Sequence, residues 1–328
     1  MPKRARWTAA IELTGAGGEP VDFARTLLSH GVADLPPNVI EEDGSRLQTV
    51  LPAAGRAWVV ELTTPRSGRA IAATPKEARS PPTAARESLL AQLRLMLRLD
   101  EDLSPFYRVA AADPALGWVA AGAGRMLRSP TVFEDVVKTI CTTNCAWSGT
   151  QRMVGALVGE LGRPAEGAAT LRAFPTPQAM AEAGDSFYRD VARAGYRGPY
   201  LRALAADVAE GRLDLERFND PALGDEEVAE QLLSLAGVGP YAMAHVMMLI
   251  GRYRRLVLDS WTRPKYRRLS GRARITDKGI TRSFGRYREF AGLAFWLTLT
   301  EDWVAQDAVT AAAGEPRPPR IPPPDAPR

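Results

Sequence analysis

The stretch Leu235-Ala236-Gly237-Val238-Gly239-Pro240-Tyr241 constrains this chain more than any other. Apolar spacing on either side predicts two helices, over 226–235 and 241–250, joined by a turn too short for anything but a tight reversal. Pro240 suits the first turn of the second helix, where its missing N–H costs nothing. Gly237 and Gly239 leave backbone N–H groups uncovered by any Cβ, and with the helix N-terminal dipole they form an anion site. Asp259 follows 20 residues after Gly239, with no other acid between. The pattern points to chemistry at a nucleotide gripped by its phosphate. A plain turn between two packed helices is the alternative reading of the glycines.

Charge placement strengthens the first reading. The net charge of +4 is modest, yet 252–288 holds thirteen Arg and Lys residues against Asp259 and Asp277 alone. Such asymmetry beside a phosphate-compatible turn is the expected footprint of a nucleic-acid surface, and a solvated basic face is the competing view. Within that field the charged form of Asp259 is favoured. Cys141 and Cys145 are too few for a disulfide framework or an iron–sulfur cluster, and His30 and His245 lack metal-ligand spacing. No apolar run reaches the ~18 residues of a membrane span. The basic start lacks a signal-peptide core, so a cytoplasmic, nucleoid-associated protein is expected.

Along the chain, 1–75 reads as a sheet-containing domain with strands at 58–62 and 69–72 and a helix at 23–28. A linker follows at 76–86, marked by Ser80-Pro81-Pro82. Residues 87–313 read as a helical core. One helix is expected to start with Ser129 as cap and Pro130 at the first position. Others are expected at 150–161, 176–183, 186–194, 199–209 and 286–300. The proline-rich 314–328 reads as a disordered tail.

Four segments, taken in order, resemble the helix–hairpin–helix superfamily of DNA glycosylases, in particular its 8-oxoguanine and 3-methyladenine (alkylpurine) members. The Gly237–Gly239 turn is similar to the family hairpin, and Leu256-Val257-Leu258-Asp259-Ser260-Trp261 to the segment carrying the essential aspartate. Ser129 through Asn144 is similar to a helix and loop that probe the duplex. Gly195-Tyr196-Arg197-Gly198-Pro199-Tyr200 is similar to the loop that wedges beside the orphaned base. The resemblance spans roughly 87–305. It implies an α+β, mostly α, fold: a small N-terminal antiparallel sheet unit followed by an all-helical glycosylase core with a helix–hairpin–helix motif.

The resemblance also assigns roles. Asp259 is the implied catalytic carboxylate. Gly237, Val238, Gly239 and Arg263 would meet the DNA backbone. Asn144 would fill the space left by the flipped nucleotide, Tyr196 would wedge between bases, and Arg197 would bond the estranged base. The carbonyls of Leu233, Leu235 and Val238 would hold a monovalent cation, sodium or potassium; no other cofactor is implied. The implied partner is double-stranded DNA with a damaged base, bound by a monomer without any membrane. Helix capping by Asn144, ordinary packing of Tyr196 and a core role for His245 remain open alternatives.

Departures from the family pattern narrow the chemistry. Family members that also cut the strand carry a lysine just after the hairpin, where this chain has Tyr241. A phenol cannot form an imine. The glutamine and phenylalanine that read 8-oxoguanine align with Phe295 and Leu299, and His245 replaces a cysteine. A base pocket of Tyr241, His245, Trp261 and Phe295 is expected, suited to an electron-poor base. The favoured function is therefore a monofunctional alkylpurine DNA glycosylase. An 8-oxoguanine enzyme with lyase activity and a non-catalytic lesion-binding protein are the alternatives.

Overall fold

Alternating apolar residues make the first unit a sheet. In the computed structural model, which describes residues 6–66, 68–75 and 80–303, the strands are β1 (Thr8–Glu12), β2 (Val39–Ile40), β3 (Arg46–Ala53), β4 (Arg56–Arg66) and β5 (Arg69–Ala73). They pair antiparallel in the order β1-β5-β4-β3-β2. The register sets Leu51 opposite Trp58 and Val50 opposite Val59. With a period of two, Trp58, Val60 and Leu62 share one face, buried with Leu47 and Leu51. Val50, Ala57 and Val59 bury the other.

That second face corrects the expectation of an all-helical core. Strands β6 (Pro164–Ala165) and β7 (Ala168–Arg172), from the middle of the chain, join the sheet, and Ala165 pairs parallel with Ala57 of β4. Ala165 and Ala173 cover Val50 and Val59. Two-residue pairings carry too little periodicity to be read from sequence.

The helices are α1 (Phe23–Leu27), α2 (Thr83–Met96), α3 (Ser104–Ala110), α4 (Val132–Thr142), α5 (Trp147–Ala156), α6 (Pro177–Glu182), α7 (Arg197–Ala209), α8 (Asp225–Ser234), α9 (Pro240–Leu249), α10 (Thr262–Ser270), α11 (Asp277–Phe284) and α12 (Ala291–Thr300). Helix α2 starts at Thr83, inside the segment read as a linker, of which 76–79 fall outside the described residues. Its Ala85, Leu89, Leu93 and Met96 face the sheet and are fully buried. Each large side chain there contributes roughly 1.5–3 kcal/mol. The tail 314–328 also lies outside the described residues.

The start of α4 differs from expectation by two residues. Thr131, not Ser129, is the cap, its hydroxyl accepting the Glu134 N–H at 3.2 Å. Ser129 instead gives its N–H to Asp135 at 2.9 Å. Helices α10 and α11 were not expected, because their closely spaced arginines mask an apolar stripe reduced to Tyr266, Ile280 and Phe284. The expected helix at 286–300 is broken: Arg288 has φ 51° and ψ −117°, and α12 starts only at Ala291. A side chain held there costs on the order of 1–3 kcal/mol, more than the entropy glycine would add. Arg288→Gly is therefore expected to stabilise the protein by about 1 kcal/mol, read as a higher midpoint in thermal unfolding.

Candidate active site

The turn between α8 and α9 uses its two glycines differently. Gly237 sits at φ 88°, and a Cβ there would come within 3.1 Å of Tyr200 and 3.4 Å of Ile140. Its glycine is demanded by the fold itself. Gly239 is extended, with φ −99° and ψ −176°, and a Cβ there would meet nothing within 4 Å. The surface beside Gly239 is thus open to an approaching group, at the start of a ten-residue helix. Val238 is buried and gives its N–H to Leu235 O at 3.0 Å. Among the described residues, the carbonyls of Leu233 and Val238 accept none of the turn or cap N–H bonds. Two unclaimed oxygens at one bend fit a hard monovalent cation.

Asp259 sits at the N-terminal end of α10. Its Oδ1 accepts the N–H groups of Trp261 (2.8 Å) and Thr262 (2.6 Å), while Thr262 Oγ1 accepts the Asp259 N–H at 2.8 Å. This reciprocal cap fixes the carboxylate's direction and leaves its second oxygen outside those bonds. The residue is only partly buried. Its charge reaches Tyr241: burial raises that phenol to about 12, the Thr142 bond opposes the rise, and the Asp259 carboxylate adds to it. The acid and the residue after the hairpin therefore share one electrostatic environment.

Helix α4 lies along α9 and supplies hydroxyls to its aromatic face. Thr142 Oγ1 lies 3.3 Å from the Tyr241 hydroxyl, and Thr139 Oγ1 lies 3.3 Å from His245 Nδ1. Tyr241 and His245 stack at 6° with ring centroids 6.0 Å apart. Burial pushes His245 down to about 3, so the ring is neutral. Trp261 belongs to a second aromatic group, 5.7 Å from Trp296 and 5.6 Å from Trp303, with Lys265 Nζ 5.4 Å from its ring centre. Phe295 joins neither group. It is fully buried against Tyr266 and Phe284. Its neighbour Trp296, one residue along the helix, packs against Trp261 and Trp303.

The two loops read as DNA probes meet across 52 residues of sequence. Asn144, exposed at φ 43°, donates from Nδ2 to the Tyr196 hydroxyl at 3.4 Å, and Tyr196 is 51% exposed. Arg197 is buried beneath them. Its guanidinium donates to the carbonyls of Thr143 and Asn144 and lies 4.5 Å from the Tyr196 ring centre. It braces the loop that presents Asn144.

The basic segment is less bare than its sequence. Arg252 pairs with Asp225, Arg255 with Glu226, Arg263 with Asp277, Lys265 with Asp302 and Arg286 with Asp113. Four of these acids come from outside the segment, which a count along the chain cannot register. Arg267, Arg268, Arg272, Arg274, Lys278 and Arg282 remain exposed, with no ion pair among the described residues.

The architecture is a DNA-glycosylase fold. More particularly, the chain resembles the 3-methyladenine and 8-oxoguanine DNA glycosylases. A solved 3-methyladenine DNA glycosylase from Archaeoglobus fulgidus superposes with a TM-score of 0.69 and 22% identity, over 89% of this chain and 98% of that one. The apo 8-oxoguanine glycosylase/lyase of Clostridium acetobutylicum gives 0.68 and 20%, over 90% and 97%. A DNA-3-methyladenine glycosylase of Bacillus subtilis (strain 168) is 24% identical over 171 residues, which make up 51% of this chain and 56% of the relative. The chain thus spans little more than half the length of that curated relative. No family model matches the sequence.

Proposed function

We propose that this protein is a DNA glycosylase that hydrolyses the N-glycosidic bond of a flipped-out damaged purine, with alkylated purines such as 3-methyladenine preferred. The observation that carries the reading is Asp259: one oxygen is committed to the cap of α10, the other is outside those bonds, and its charge reaches the residue following the glycine turn. In the reaction, water attacks C1′ as the C1′–N bond breaks. The electron pair leaves with the base, and a cationic alkylpurine departs neutral. The Asp259 carboxylate stabilises the oxocarbenium character of the sugar, orients the water and takes its proton.

The proposed helix–hairpin–helix unit, α8 and α9 with their turn, holds the DNA backbone through the open side of Gly239. Sodium or potassium would be held by the carbonyls of Leu233, Leu235 and Val238, and its charge would add to the attraction for phosphate. Asn144 and Tyr196 fill the gap left by the extruded base, with Arg197 bracing them. Neutral aromatic rings beside a carboxylate favour a cationic base over a neutral one.

Cleavage without strand scission is supported by the amines. Lys265 is engaged by both oxygens of Asp302, at 2.7 and 3.0 Å. Lys138 is buried on Glu134 at 2.7 Å. Neither directly follows the turn, and the exposed Lys278 lies on α11, away from that position in the chain. The test is a panel of duplexes, each with one defined lesion, scored separately for base release and nicking. Release of 3-methyladenine or 7-methylguanine without nicking is expected. Exclusive release of 8-oxoguanine, or a borohydride-trapped adduct, overturns the alkylpurine reading.

The unpaired arginines on α10 and the turn after it make a second prediction. Each phosphate contact contributes about −0.9 to the slope of log K against log salt. Changing Arg267, Arg268, Arg272 and Arg274 together to Gln is expected to flatten that slope by about two to four, measured by fluorescence anisotropy on an undamaged duplex. An unchanged slope means this face points into solvent.

A further inference from the structure

The chain has two histidines, 215 positions apart, and the fold sets them together. Their rings are 5.5 Å apart at 82°, His30 edge-on with His245. His30 is held from several sides. Its Nε2 lies 2.7 Å from the Leu127 carbonyl, and the Leu127 N–H donates back to Ser29 Oγ at 3.0 Å. The Trp296 indole donates to Ser29 O at 2.8 Å. Ser29-His30, from the N-terminal unit, therefore connects the two aromatic groups, that of Trp261 and Trp296 and that of Tyr241 and His245.

A carbonyl can only accept, so the His30 proton sits on Nε2 and Nδ1 is bare. That Nδ1 is buried without a hydrogen-bond partner. Leucine or phenylalanine would fill the same space without an orphaned acceptor. What histidine adds is the bond to Leu127, which fixes the ring's orientation against His245. Both rings at this junction are kept neutral. Burial lowers His30 to about 4, the Leu127 bond opposes this, and Lys138 on α4 lowers it further. His245 is lowered by burial and then by His30.

We propose that His30 is a positioning residue of the base pocket: the N-terminal unit presents its ring to His245 and so fixes the stack on which Tyr241 lies. The proposal rests on the glycosylase reading for its catalytic consequence, though not for the ring geometry. A base that must sit against Tyr241 while its C1′ faces Asp259 tolerates little rotation of His245, and misplacement near 1 Å costs up to about a hundredfold in rate.

Two histidines make the experiment clean. The full chain is labelled with 15N-histidine, and its imidazole signals are followed from pH 8 to pH 4 in the parent, His30→Phe and His30→Gln. In the parent, His30 is expected as the Nε2–H tautomer, with both rings neutral at pH 6. In both variants the His245 titration is expected to move upward and its tautomer balance to change. Single-turnover base release is expected to fall about tenfold or more, while affinity for undamaged duplex holds. A parent spectrum with His30 protonated on Nδ1 overturns the proposal even if both variants fail to fold. Unchanged His245 signals in folded variants, or parent-rate base release, overturn it equally. A parent that releases no lesion, with His245 still responding to His30, leaves the ring coupling standing and removes the glycosylase reading.

Discussion

Asp259→Asn is expected to lower single-turnover release of an alkylated purine by about a thousandfold while leaving the protein folded. At ~4 Å and an effective dielectric near 20, a carboxylate attracts a unit positive charge by about 4 kcal/mol. That corresponds to about three powers of ten in rate. The geometry makes this substitution unusually informative. Asparagine retains a side-chain oxygen to accept from Trp261 and Thr262, so the cap of α10 survives and only the charge is lost. Asp259→Ala removes both, and is expected to cost about 1 kcal/mol more in stability. Thermal unfolding beside the kinetics separates the two roles. If the asparagine variant excises bases at the parent rate, Asp259 is a cap and nothing else. For a protein that only clamps DNA, the same substitution removes a charge that repels phosphate, so binding tightens and the parent itself releases no base.

Arg125→Ala is expected to be the most damaging single change to stability. Arg125 is completely buried and paired with Glu19, itself almost completely buried. It also donates to the carbonyls of Arg98 and Glu101, and Glu19 Oε1 accepts the Leu103 N–H at 2.8 Å. These bonds fasten the turn around Gly15 to the loop after α2, joining the sheet unit to the helical core. Removing one partner leaves a buried charge uncompensated, at about 3–5 kcal/mol. A fall in unfolding midpoint on the order of 10 °C follows. Glu19→Gln combined with Arg125→Met is expected to recover much of that loss, because a neutral pair of similar volume leaves no stranded charge. A midpoint within about 2 °C of the parent for Arg125→Ala shows that solvent reaches Glu19 in solution.

The helices flanking the glycine turn were legible because apolar residues recur along 225–249 at helical spacing and Pro240 marks a start. Strands β4 and β5 were legible because alternation persists along them. Short pairings such as β6 with β4 were not, since a two-residue strand has no period. The aromatic clusters were half legible. Tyr241 and His245, four apart on one helix, had to share a face. Which of Phe295 and Trp296 lies beside Trp261 depended on how α12 is rotated: Trp296 packs there, and Phe295 turns to Tyr266 and Phe284.

What the sequence determined by itself is local: a turn that calls for glycine at Gly237, a helix start at Pro240, and at Tyr241 a phenol, which cannot form an imine. Those follow from backbone sterics, hydrogen-bonding capacity and functional groups, which do not depend on distant residues. Only the tertiary structure decided which distant residues meet. It paired five of the thirteen basic residues with acids, brought Asn144 to Tyr196, and set His30 against His245. Contacts across 14 to 215 residues are chosen by the packing of whole helices and a sheet, and one-dimensional spacing carries no record of that choice.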